Sequence, residues 1–119
     1  MAGFFQDLVR DTTTTTGTGN ITLSGTPPTG FVSMDTAYPV TGQKFYYEIR
    51  STGSAEFEGG EGTKLTSTTF SRRAIRSSNG NGLVSFSAGT KDFYVTISAE
   101  YMNRTITIGN TVALALAMP

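Results

Sequence analysis

Apolar and polar residues alternate with period two along most of this chain, the pattern of strands that bury one face. From Gln43 to Arg50, Phe45, Tyr47 and Ile49 oppose Tyr46, Glu48 and Arg50. From Lys91 to Ser98, Phe93, Val95 and Ile97 alternate with Tyr94, Thr96 and Ser98. Both sets run in phase, so all six apolar residues are expected on one buried face. Shorter runs at Asn20–Ser24 (Ile21 and Leu23 inward), Thr63–Ser71 and Leu83–Ser87 predict further strands. Phe5–Thr16 reads as one long strand whose second half is an exposed threonine ladder. That reading is preferred to a short amphipathic helix through Phe4, Phe5, Leu8 and Val9.

Near the C-terminus, Thr105–Ile108 and Thr111–Met118 read as two strands about Gly109-Asn110, or as one with a bulge. Val112, Leu114 and Leu116 face one way and Ala113, Ala115 and Ala117 the other, so both faces look dry. Such a strand is an aggregation hazard when left free. It is expected at a subunit interface, as a strand added to a neighbour, with a central strand of the chain's own core as the alternative.

Turn chemistry divides these runs at Gly17-Thr18-Gly19-Asn20, Gly25-Thr26-Pro27-Pro28, Gly59-Gly60, Asn79-Gly80-Asn81-Gly82 and Gly109-Asn110. Ser33–Tyr38 is the one interior stretch that suits a helical turn, and Pro39 would end it. The fold expected is a single all-β domain over residues 1–119. It is an antiparallel β-sandwich, Greek-key or barrel-like, with extended terminal arms at 1–10 and 102–119.

Composition sharpens this picture. At 119 residues the core is necessarily thin. Apolar residues make up 37% and charged ones only 15%, and Thr, Ser and Gly fill the difference. Nine basic residues cancel nine acidic ones, so no global field draws the chain to nucleic acid or to an anionic membrane. There is no Cys and no His, which excludes disulfides, thiolate nucleophiles, imidazole bases and Cys- or His-ligated metals. No run approaches the 18 apolar residues of a spanning helix. The opening MAGFFQDLVRD lacks the basic and long apolar regions of a signal peptide.

Little candidate chemistry remains. Glu56, Glu58 and Glu61 lie in the Gly-rich FEGGEG stretch, where oxygen ligands on a bend would suit calcium. They lack the D-x-D-x-D-G spacing and the paired geometry of a glycosidase, so a solvated strand end is the reading preferred. Arg72, Arg73 and Arg76 form the basic cluster. Neighbours on a strand point to opposite faces, so Arg72 and Arg73 cannot both line one nucleic-acid groove, and salt bridging to another protein is the reading preferred. Gly17-Thr18-Gly19 is followed by Thr22 where a dinucleotide fingerprint needs Gly, and so is a turn. Asn20-Ile21-Thr22 and Asn103-Arg104-Thr105 match the glycosylation sequon, but carry no weight without a secretory signal. The expectation is therefore no catalytic, cofactor-binding or metal-ligating residue and no enzyme activity.

Specific strings go further. VRDTTTTTGTGNITLSGTPPTGF (9–31), GQKFYYEI (42–49) and the stretch 57–100 resemble a small β-domain of tailed-bacteriophage virion proteins. The most specific pieces are Ser77-Ser78-Asn79 and Ser85-Phe86-Ser87-Ala88-Gly89-Thr90-Lys91-Asp92-Phe93-Tyr94-Val95-Thr96. The family's Trp-Glu pair stands here as Glu56-Phe57, and residues 102–119 lie outside the similarity. The resemblance implies a virion structural protein of the tail, neck or fibre attachment, without catalytic residues, homo-oligomeric and in contact with other virion proteins. Two alternatives accompany it: a capsid decoration protein, and a carbohydrate-binding module using Tyr46, Tyr47, Tyr94 or Tyr101 as stacking platforms.

Overall fold

The computed structural model describes residues 5–103. Six strands and a helical turn follow in order: β1 (Arg10–Thr13), β2 (Ile21–Thr22), α1 (Met34–Ala37), β3 (Lys44–Ser51), β4 (Phe57–Lys64), β5 (Thr69–Ser77) and β6 (Lys91–Val95), and residues 99–103 are helical at the end of the described range. The predicted strands at 105–108 and 111–118 lie outside the described residues. The domain is all-β, and every strand pairing is antiparallel. Its strands make one sheet, in the order β1-β6-β3-β4-β5-β2, so of the expected sandwich-like or barrel-like architectures it is the barrel-like one that forms. The sheet curls until its first and last strands nearly meet. A Thr13–Leu23 bridge and a Ser24 N–H to Thr12 carbonyl bond of 2.9 Å cross the seam.

Threonine hydroxyls supply the rest of that closure. Thr13 is buried, and its Oγ1 donates to the Thr22 carbonyl at 2.6 Å. Thr15 Oγ1 accepts the Thr22 N–H at 3.0 Å. Part of the predicted solvent ladder is thus a seam, because β2 is too short to close the sheet through main chain alone. The N-terminal run is not one strand either: Leu8 has φ 62°, a turn that breaks it before Arg10. Residues 5–8 are not helical.

The core follows from β3 and β6. Phe45, Tyr47, Ile49 and Phe93 are fully buried, and Val95 packs partly buried against them. Ile97 departs from expectation: it is 59% exposed, because β6 ends at Val95 and the alternation loses its face. Ile21, Leu23 and Phe70 complete the interior as predicted or in phase with it. The helical turn falls at Met34–Ala37, capped by Ser33, whose Oγ accepts the Thr36 N–H at 3.1 Å.

One predicted break is misplaced and one predicted strand is split. Gly59-Gly60 is no turn but the middle of β4, at a β-bulge. A Cβ on Gly60 would lie 2.9 Å from the Tyr47 hydroxyl and 2.1 Å from the Arg73 carbonyl oxygen. One on Gly62 would lie 2.7 Å from the Phe45 ring. These glycines make room for aromatic rings lying across the strand. Conversely, Thr63–Ser71 is not one strand, since β4 ends at Lys64 and residues 65–68 turn the chain into β5. Leu83–Ser87 is a loop with a single bridge, Phe86 to Gly17. The turn at 78–82 forms where predicted, with Gly80 and Asn81 at positive φ.

Candidate functional site

The charged residues gather in two places, one inside the barrel and one on its outer face. Inside, β4 alternates so that Glu58 points to the core, fully buried. From the next strand Arg72 also points inward, and its Nη1 donates to Glu58 Oε1 at 3.1 Å with both side chains out of solvent. The Tyr47 hydroxyl donates to Glu58 Oε2 at 2.5 Å, and the Val84 N–H donates to Oε1 at 2.7 Å. Burial and the adjacent Glu58 carboxylate raise the Tyr47 phenol far above its usual range.

The remaining Arg72 donors hold main chain. They reach the carbonyls of Gly17 at 2.6 Å, Gly19 at 2.9 Å and Val84 at 3.1 Å. The guanidinium carbon lies 5.5 Å from the centre of the Phe86 ring, and Lys91 Nζ lies 5.9 Å from it. Lys91 is fully buried and donates to the Thr15 carbonyl at 2.9 Å, and burial pulls its ammonium below the usual lysine range. Asp11, buried beside the seam, accepts from the N–H groups of Thr12 at 2.7 Å and Gly25 at 2.9 Å, and from the Ser24 hydroxyl. This arrangement gives each of these charges at least one fixed partner. It can anchor loops 17–19 and 82–87 to the barrel wall, but it presents no group to a ligand.

The predicted acidic bend is therefore corrected. Glu58 is interior, not a solvated strand end, because its strand runs straight through the sheet. Glu61 faces outward between Lys44 and Arg73, each at 3.7 Å. Glu56 accepts from Ser87 N–H at 3.0 Å and Ser87 Oγ at 2.9 Å, which lower its carboxyl pKa. Among the described residues no group of three or more acidic side chains converges on a cation position. The arginine reading is corrected as well. Arg72 and Arg73 do point to opposite faces, but Arg72 bridges within its own chain. Arg73 pairs with Glu61 and, at 3.1 Å, with Glu100.

Outside, an open groove of about 470 Å³ runs over β3, β4 and the C-terminal half of β5. Its walls include Phe57, Ile75, Arg76, Ile97 and Asn103. Glu48 at its rim pairs with Arg50, and Glu100 with Arg73. The tyrosine platforms are corrected too. Tyr46 and Tyr47 are buried, Tyr46 beneath Phe5 at 5.9 Å and beside Tyr101 at 5.7 Å. Tyr94 lies 5.0 Å from the Arg10 guanidinium, which also stacks on Phe31. Sequence reasoning missed the Tyr47–Glu58–Arg72 network. The signal was the spacing itself, since Glu58 and Arg72 each fall in phase with core positions on their strands.

The class this fold and site define is a small antiparallel barrel-like domain whose charged interior anchors its own loops. No protein-family model matches the chain, and no curated protein shows significant similarity to it.

Proposed function

We propose that this domain is a bacteriophage virion structural protein of the tail, neck or fibre attachment, acting through protein–protein assembly rather than catalysis. The observation that supports this is where the phage-like strings fall. Gly60 and Gly62 make room for core rings, Arg72 anchors two loops, Lys91 and Phe93 are buried, and Asp92 pairs with Arg10 at 3.4 Å. The recognisable residues are framework residues, as befits a part whose task is to hold shape. The chain resides in the virion, in several copies, against other virion proteins. The carbohydrate-binding alternative loses two of its four platforms to burial.

Quantifying the chain against the major capsid protein in purified particles tests the reading. About a dozen copies or fewer, set by closed symmetry, fit the tail, neck or fibre base. Hundreds of copies on the head would replace this reading with capsid decoration, and absence from the particle would overturn both.

A further inference from the structure

The bulge in β5 turns a charge outward. Before it, Phe70, Arg72 and Ala74 stand opposite Lys64, Gly62 and Gly60, the inward positions of β4. Unbroken alternation would carry Arg76 inside as well. Instead Ile75 is an extra residue, so Arg76 stands opposite Gly59 on the outer face, and Ser77 takes the inward place opposite Glu58. There Arg76 lines the groove of about 470 Å³. Among the described residues it has no ion-pair or hydrogen-bond partner, whereas every other described arginine and lysine has one. Gly59 keeps the space beside it open. The outer row across the sheet runs Arg76, Gly59, Glu48, so two charged side chains about two strand spacings apart, roughly 10 Å, flank a position that has none. A Cβ on Gly59 would lie 3.6 Å from the Tyr47 carbonyl oxygen and 3.9 Å from that of Arg76, which are ordinary contacts. Packing does not require glycine here, unlike at Gly60 and Gly62.

We infer that this gap is a carboxylate-binding site, taking an Asp or Glu side chain flanked by apolar residues on a neighbouring protein of the particle. The groove's own groups select that occupant. Its other charges are already matched, Glu48 with Arg50 and Glu100 with Arg73, so the Arg76 guanidinium is the charge left to be met. With Glu48 and Glu100 in the same lining, like-charge repulsion disfavours a dianion such as phosphate. A planar monoanionic carboxylate fits, because the guanidinium fork meets it with two parallel bonds. Asn81 supplies a further donor to the lining, its Oδ1 being taken by the Ser77 N–H at 3.1 Å and its Nδ2 having no partner among the described residues. The walls about these groups are apolar: Phe57 is 41% exposed, Ile97 is 59% exposed, and Ile75 lies with them. They cover the flanks of an apolar peptide side chain. An acidic sugar would stack on aromatic faces, and of the aromatic residues in the groove only Phe57 is exposed. That the partner is a virion protein rests on the reading above; the carboxylate site stands without it.

Titrating the isotope-labelled full chain with acetyl-Leu-Glu-Leu-amide, and following backbone amide shifts, tests the inference. Acetyl-Leu-Gln-Leu-amide, galacturonate and inorganic phosphate are titrated beside it. The expected result is saturable shifts at 57–60, 75–77 and 96–98 with the Glu peptide. The Gln peptide should bind about tenfold more weakly, and Arg76→Gln should lose as much. Gly59→Leu should fill the gap and abolish the shifts. Both substitutions face outward, so the melting midpoint should stay that of the parent. Absence of saturable shifts overturns the inference, as does equal binding of the two peptides. An Arg76→Gln or Gly59→Leu chain that binds as the parent does overturns it too. Tighter binding of galacturonate or phosphate than of the Glu peptide would overturn the protein occupant, in favour of an acidic glycan or a phosphate ligand. The titration uses the purified chain, so its failure leaves the particle copy count, and the virion reading, standing. Absence of the chain from the particle would in turn leave the titration unchanged.

Discussion

The interior of this barrel has two halves that are held by different physics. In one, the rings of Tyr38, Phe45, Phe70 and Phe93 sit 5.0–6.0 Å apart, Tyr38 stacked on Phe45 and the other pairs edge to face or tilted. In the other, Glu58, Arg72, Lys91 and Asp11 are as deeply buried but are held by hydrogen bonds, with the Phe86 ring beside Arg72 and Lys91. Tyr47 belongs to both, with its ring 5.2 Å from Phe70 and its hydroxyl on Glu58. Packing is non-directional and holds strand to strand. The charged half is directional and holds loops to strands, because carbonyls of irregular segments need donors that a sheet ladder does not supply. Losing one partner there leaves a buried charge, which packing cannot absorb.

The sharpest way to break the comparison is Arg72→Ala. It strands Glu58 and removes the donor from three carbonyls, at an expected cost of about 3–5 kcal/mol in denaturant unfolding. Out of perhaps 5–15 kcal/mol in total, that approaches unfolding. Exchanging the pair for Arg72→Met with Glu58→Leu should recover only part of the loss, because the Gly17, Gly19 and Val84 carbonyls stay unpaired at about 1–3 kcal/mol. A fully restored double variant would mean that the loops do not need the guanidinium.

In the aromatic half, Phe93→Ala should cost a similar 3–5 kcal/mol or so through lost contacts and a cavity. Hydrogen exchange should separate the two variants. Arg72→Ala should expose amides of 17–19 and 82–87 first, and Phe93→Ala those of β3 and β6. Gly62→Ala should cost about 1–3 kcal/mol by forcing the Phe45 and Phe70 rings apart. A neutral Gly62→Ala would show that the rings have slack.

Titration gives a smaller, two-sided effect. Burial pushes the Tyr38 phenol up to about 12, and Tyr47 rises further. Unfolded tyrosines lose their protons near pH 10, whereas these two keep theirs in the fold. Unfolding then releases protons, so stability should fall as pH rises above about 10. Lys91 acts in the opposite sense up to its unfolded value, because its folded form binds fewer protons. Two phenols outweigh one ammonium, and the net fall should be shallower in Tyr38→Phe when midpoints at about pH 9 and 11 are compared. Least of all, Ile97→Ser at an exposed position should stay within about 0.5 kcal/mol of the parent.

Strand identity was legible because alternation is a local property. Phe45, Tyr47, Ile49 and Phe93 took their inward face from period two alone, and Ser33 with Pro39 marked the helical turn by capping and chain geometry. What stayed hidden depended on neighbours distant in sequence. Gly59-Gly60 looked like a turn because glycine relaxes the backbone, and only the Arg73 main chain from β5 and the Tyr47 hydroxyl from β3, both against Gly60, show that the missing Cβ matters more than the freedom in φ. Ile97 kept the rhythm of β6 after β6 itself had ended at Val95, so its alternation pointed at no core.

The amino-acid sequence by itself determined the all-β class, the phase of the main strands and the opposition of Arg72 to Arg73, since each follows from steric alternation along one segment. The tertiary structure alone decided that the strands form one sheet curled to a seam rather than two. It also decided that Thr13 and Thr15 close that seam, and that Glu58 and Arg72 meet inside. Those outcomes rest on residues 9 to 55 positions apart. The free energy of a buried charge or hydroxyl depends on the partner that arrives from elsewhere in the chain, and no local pattern encodes that arrival.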